Sequence, residues 1–158
     1  MFFGLICHLV HVTSAVVARY RLSKIALPLS GGPKFLKLHA AACFERLPSA
    51  ESGVRNDDCV IVDSDQPPYI LLDFLPLDPT NPSTLGTLLS GARVPGEFRS
   101  KARAWPTTGL AIGSSRMVNV DLDDVVANLN ATYDARLKLV GNNCHDFVDR
   151  VFDSCPET

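Results

Sequence analysis

A chain of 158 residues suits one domain, able to bury about two-thirds of the surface its unfolded form exposes. Hydrophobic residues make up 46% and charged residues 20%, which excludes wholesale disorder. A formal charge of −2 excludes any general attraction to nucleic acid or to an anionic membrane.

The first 18 residues are an apolar run followed by Arg19, Arg21 and Lys24. A secretory signal carries its positive charge ahead of the apolar run, so the order is wrong for one. His8, His11, Thr13 and Ser14 interrupt a run barely long enough to span a bilayer. Three readings stay open: a first buried element, a membrane anchor through residues 1–18, or a targeting stretch or stray extension. The turn-rich break Leu29-Ser30-Gly31-Gly32-Pro33 then divides a leader, residues 1–28, from a domain over residues 29–158.

Lys34 to Leu47 predicts a strand with His39 at its centre, followed by an exposed loop from Pro48 to Asp58. Cys59–Asp63 and Tyr69–Leu75 predict two more strands, separated by the turn Ser64-Asp65-Gln66-Pro67-Pro68. Three neighbouring antiparallel strands are expected. Thr80, Asn81 and Pro82 open a short helix over Ser83–Ser90 that Gly91 closes. Val94-Pro95-Gly96 reads as a turn, and the basic cluster of Arg93, Arg99, Lys101 and Arg103 reads as a solvated loop rather than a phosphate site. Further strands are expected around Phe98–Trp105 and Gly109–Val118.

Asn119 to Arg136 predicts a long helix, because Leu122, Val125, Val126, Leu129 and Tyr133 recur at helical spacing. Asp121, Asp123 and Asp124 fall where acids complement the helix dipole, so capping is preferred to cation binding. Leu137–Val140 is extended and leads through Gly141 into a last helix carrying Phe147, Val148, Val151 and Phe152 on one stripe.

Five cysteines, at 7, 43, 59, 144 and 155, are odd in number and show no CxxC spacing. Free thiols in an intracellular reducing compartment, the cytoplasm by preference, follow from that. Four histidines and these cysteines give no metal-ligand spacing, and no cofactor is implied.

Cys144 is the exception among residues that otherwise read as core. It begins the last helix behind Asn143, a good cap, with Asp146 at the third helical position. Unpaired backbone N–H groups there favour a thiolate and can hold an oxyanion. A cysteine nucleophile still needs a base and an orienting group. His39 is the upstream candidate for the base. Asp73, on an otherwise apolar strand, needs a buried partner, which a histidine, an arginine or the backbone would supply. Asn142 and Asn143 either contribute to the oxyanion site or shape the turn. His145 reads as a surface or capping residue, and Cys155 as inert.

Asn142-Asn143-Cys144-His145-Asp146-Phe147-Val148 resembles the NNCxxFV signature of lecithin:retinol acyltransferase-like proteins and the NNCxxF of PPPDE-type deubiquitinating and deSUMOylating peptidases. Both belong to the circularly permuted branch of the papain-like, NlpC-type fold, in which the histidine precedes the cysteine. Leu38-His39-Ala40-Ala41-Ala42-Cys43-Phe44 resembles the histidine strand. Tyr69-Ile70-Leu71-Leu72-Asp73-Phe74-Leu75-Pro76 resembles the strand that orients it, with Asp73 where the acyltransferase relatives carry a second histidine. A more distant likeness, an H…DF…NCH pattern, extends to eukaryotic membrane proteins that include the plant ethylene-sensitivity regulator.

The resemblance implies an α+β fold, a small antiparallel sheet packed against helices. It implies a thiol hydrolase or acyl-transfer enzyme in which Cys144 attacks an amide, isopeptide or ester carbonyl, His39 moves the proton and Asp73 orients His39. Peptide, ubiquitin-like conjugate and acyl lipid are the substrates it leaves open. The alternative is a catalytically inactive member of the same fold, serving as a binding or regulatory module.

Overall fold

In a computed structural model of the protein, residues 17–28, 39–47, 69–103, 110–113 and 115–158 are described. The predicted strand at Cys59–Asp63, the loop before it, Trp105 and residues 1–16 lie outside them.

The sheet begins earlier than the sequence reading placed it. Strand β1 (Ala18–Leu27) pairs antiparallel with β2 (His39–Arg46), from Tyr20 opposite Arg46 to Leu27 opposite His39. Alternation explains it: Tyr20, Leu22 and Ala26 are buried while Arg19 and Arg21 face water. Residues 18–27, at the end of the stretch read as a leader, are thus integral to the sheet, while the break at Leu29–Pro33 lies outside the described residues.

Strand β3 (Tyr69–Pro76) pairs with β2, and β4 (Val94–Arg103) pairs with β3 along its whole length. Val94-Pro95-Gly96 is therefore the start of a strand and not a turn. Val94 and Pro95 pair with the short β7 (Arg136–Leu137). Gly96 lies under a ring: a Cβ there would sit 2.5 Å from Cζ of Phe74. Glycine was placed by packing, not by a bend. Arg99, Lys101 and Arg103 accordingly lie on β4, so the basic cluster is largely a strand rather than a loop.

Between β3 and β4 runs α1 (Pro82–Leu89), whose N-cap Asn81 accepts from the Ser83 N–H at 2.9 Å. Strands β5 (Leu110–Ala111) and β6 (Arg116–Val120) both pair with β1. Helix α2 (Leu122–Thr132) is shorter than expected, because Asn119 and Val120 finish β6 and Asp121 is the cap. The last element is α3 (Cys144–Ser154). The strand order is β5-β1-β2-β3-β4-β7, with β6 beside β1: an antiparallel sheet with three helices among the described residues, of the α+β class.

One face of the sheet carries the main core. Ala40, Ala42, Phe44, Leu72 and Phe74 pack there against Phe147, Val148 and Val151 of α3 and Val125 and Leu129 of α2. Phe74, Phe147 and Tyr133 stack edge and face, with centroids 5.1–5.8 Å apart. Ala41, Cys43, Ile25 and Leu71 form a smaller cluster of the opposite parity. Alanine is a poor strand former, but Ala40 and Ala42, fully buried, let α3 settle close on β2. No helix among the described residues is long and apolar enough to cross a membrane.

Candidate active site

The first turn of α3 is built by a reciprocal capping box. Asn143 Oδ1 accepts from the N–H groups of His145 at 2.8 Å and Asp146 at 3.2 Å, while the Asp146 carboxylate accepts from the Asn143 N–H at 3.0 Å. Asn143 Nδ2 also donates to the Leu139 carbonyl at 3.1 Å. Asn142 donates to the carbonyls of Asp134 and Arg136 at 2.9 and 2.7 Å. The preceding turn passes through Gly141 at φ 88°, a value that glycine adopts freely. The donors of both asparagines are thus spent on the loop that delivers Cys144. Tyr133 adds to this framework, its hydroxyl donating to the Asn143 carbonyl at 3.4 Å.

Cys144 occupies the first helical position and is half-buried. Its N–H is the first-turn donor that the capping box leaves over, and it lies beside its own sulfur. The Ala40 N–H donates to Sγ at 3.4 Å. This contact joins α3 to the start of β2, where the preceding residue is His39.

His39 and Asp73 stand together although 34 positions separate them. Asp73 is opposite Ala41 in the β2–β3 register, so His39 lies on its diagonal. His39 Nε2 meets Asp73 Oδ2 at 3.2 Å, and the two residues are only 3% and 9% exposed. Their ion pair does not end there. Arg99 donates from Nε to Asp73 Oδ1 at 2.8 Å and from Nη2 to Oδ2 at 2.7 Å. Sequence reasoning required a partner for Asp73 but assigned Arg99 to a solvated loop. The signal it lacked was the β3–β4 register, which sets Arg99 directly across from Asp73.

These contacts tune three titrations. Burial, the largest influence on His39, pushes it down, but the Asp73 hydrogen bond and the neighbouring Cys144 thiol outweigh it and lift the ring to about 8. Burial pushes the Cys144 thiol up, and the His39 ring, the Ala40 N–H and its own N–H together hold it below its ordinary value. Asp73 feels burial upward and His39 and Arg99 more strongly downward, so it stays ionised. Burial, the largest influence on Cys43 and Cys155, pushes them up to about 12 and about 11, Glu45 adding to the first and Arg116 opposing the second.

With Nε2 committed to Asp73, the other ring nitrogen is left for the thiol. Nδ1 is buried and has no formed hydrogen bond. The Cys144 thiol and the ring nevertheless lie close enough for each to shift the other's titration. The arrangement brings together a thiol, an imidazole, an anchored carboxylate behind the imidazole and the backbone N–H that the capping box leaves over. Its place is the start of β2, where α3 arrives from the main-core face.

No family model, curated protein or solved structure matches this chain.

What the site can do therefore follows from its own geometry. His145 is exposed on the flank of α3, as a surface residue. Among the described residues no three His, Cys, Asp or Glu side chains converge as metal ligands. A surface depression lined by Leu77, Asp78, Ser83, Thr87 and Pro95 lies between α1 and β4 and shares no wall with Cys144 or His39.

Proposed function

We propose that this protein is a thiol-dependent hydrolase or acyl-transfer enzyme with a Cys144–His39–Asp73 site on a permuted papain-like, NlpC-type fold. One observation carries the reading: residues 39, 73 and 144 converge with a thiol at a helix start, an imidazole beside it and a carboxylate on the far ring nitrogen. That is the order of parts a cysteine nucleophile needs.

In the proposed reaction the Cys144 thiolate attacks the carbonyl carbon of an ester, amide or isopeptide. The carbonyl oxygen takes the negative charge, and the Cys144 N–H is placed to donate to it. His39, protonated in the ion pair, passes its proton to the leaving oxygen or nitrogen, and a thioester remains on Cys144. His39 then accepts a proton from water or an acceptor alcohol or amine as this attacks the thioester, and the Cys144 thiolate is released, which restores the ion pair. Asp73 keeps Nε2 protonated, so that Nδ1 is the nitrogen that exchanges the proton. Peptides, ubiquitin-like conjugates and acyl lipids all offer the carbonyl required. The free thiols at Cys43, Cys144 and Cys155 fit action in a reducing compartment.

An activated acyl ester tests the reading. Incubation should leave one acyl group on Cys144, identified by peptide mass spectrometry, that is absent in Cys144→Ser and forms more slowly in His39→Asn. Acylation spread over other residues, or unaltered turnover in Cys144→Ser, would remove the enzyme from consideration. A second reading, an inactive binding or regulatory module of the same fold, draws on the depression at α1 and β4 being remote from the thiol. A folded protein that never acylates would support it.

A further inference from the structure

Asp73 poses a question that the proposed chemistry leaves unanswered. A carboxylate that orients a histidine needs one oxygen for the ring, yet both oxygens of Asp73 are taken by Arg99. Oδ2 is shared between Arg99 Nη2 at 2.7 Å and His39 Nε2 at 3.2 Å. A guanidinium on a carboxylate in a half-buried strand is not a cheap way to hold a sheet together. Apolar residues of similar volume would stabilise as well or better, since desolvation cancels much of the attraction.

The geometry has a directional consequence. Side chains on β2, β3 and β4 stand in a row, His39, then Asp73, then Arg99, with the last two in direct register. A carboxylate held by one hydrogen bond can swing about its last torsion. The two parallel N–H bonds of a guanidinium fix the plane of the carboxylate as well as its position. With that plane fixed, Oδ2 faces the ring at a set angle, and Nδ1 is turned to the side where the sulfur lies.

Resting on the Cys144–His39 reading above, we infer that Arg99 is a positioning residue whose fork holds the Asp73 carboxylate, and through it the His39 ring, in the orientation that serves Cys144. Arg99 touches neither sulfur nor substrate. The charged groups facing His39 are Asp73 from β3 and Cys144 from α3, with Arg99 one step behind on β4. Lysine does not replace it, because an ammonium is a point charge that cannot grip two oxygens in a plane.

The test uses the full chain carrying Arg99→Met, Arg99→Lys, Asp73→Asn or both Asp73→Asn and Arg99→Met, each checked for native near-ultraviolet circular dichroism. Two quantities are read: the rate of Cys144 alkylation by iodoacetamide across pH, and the His39 tautomer from ring nitrogen shifts in NMR. Wild-type His39 should be a single tautomer, protonated at Nε2 when neutral. Arg99→Met should slow alkylation near neutral pH by about tenfold and mix the tautomers. Arg99→Lys should fall between. In the Asp73→Asn background Arg99→Met should add nothing further, which a merely structural role would not predict. If Arg99→Met fails to fold, Arg99→Lys carries the test alone.

A wild-type rate profile and a single tautomer in Arg99→Met, or in Arg99→Lys where that variant stands alone, would overturn the inference and leave the Cys144–His39 reading intact. Cys144 of the wild type reacting no faster than in His39→Ala would instead overturn that reading, and this inference with it.

Discussion

At the scale of the residue, the site is two opposed titrations sharing a proton. His39 has a folded value of about 8 against 6.5 when free, so its contribution to stability is full below 6.5 and lost as pH rises through about 8. Cys144 is held below its ordinary value, so its contribution has the other sign: it grows as pH rises towards that value and is lost as pH falls. In the wild type the two oppose each other across neutral pH. Cys144→Ala removes one of them. Its unfolding free energy should still fall more steeply than that of the wild type between pH 6.5 and about 8, because Asp73 goes on favouring the imidazolium, but by less than the about 2 kcal/mol of the full His39 shift, part of which the thiol itself supplied. Urea denaturation at intervals across that range measures it. A steeper fall in the wild type than in Cys144→Ala would contradict the coupling.

At the scale of the element, α3 and β4 show opposite lessons. The start of α3 rests on local chemistry, with Asn143 bonded to the N–H groups of His145 and Asp146 and to the Leu139 carbonyl. Asn143→Ala should cost about 1–2 kcal/mol in urea denaturation and slow Cys144 alkylation, because the same turn sets the sulfur against Ala40. Asn143→Ser should recover most of the stability. On β4, Gly96→Ala drives a methyl into Phe74, whose ring is wedged between Tyr133 and Phe147 and cannot retreat. A loss of about 1–3 kcal/mol is expected, and Gly96→Ala combined with Phe74→Leu should regain part of it.

The same two elements explain what the sequence could say. Cap, acid at the third position and apolar stripe all lie within the eleven residues of α3 and its cap, so the helix and its cysteine were legible. Asp121 announced α2 in the same way, although β6 claimed Asn119 and Val120 first. Val94-Pro95-Gly96 was misread because turn residues were judged without the ring that Gly96 accommodates. β1 was missed for a different reason: the charges of Arg19, Arg21 and Lys24 were weighed as flanks of an apolar run. The alternation of Arg19 and Arg21 with Tyr20 and Leu22 was the signal that went unused. Arg99 was beyond reach, since its partnership with Asp73 depends on a register between strands that no local pattern encodes.

At the scale of the whole molecule, the site is a product of topology. The antiparallel order β2-β3-β4 lines up positions 39, 73 and 99, and α3, last in the chain, returns to pack across β2 and β3. The Cys144 site and the core consequently meet at Phe147, fully buried among Phe74, Phe98 and Tyr133. Phe147→Ala should cost about 3–5 kcal/mol, a large share of what a domain of this size has. Loss of the near-ultraviolet signal and loss of rapid Cys144 alkylation should then occur at the same, lowered urea concentration. Two separate midpoints would mean that the site does not depend on the docking of α3.

The pairing of Cys144 with His39 is reached most directly by alkylating the full chain with iodoacetamide across pH and counting label on each cysteine. Cys144 should react near neutral pH, well below the range of an ordinary thiol at ~8.5, while Cys43 and Cys155 stay slow. In His39→Ala that early reactivity should disappear. A Cys144 that reacts no faster than Cys155, or one that is indifferent to the loss of His39, would contradict the account.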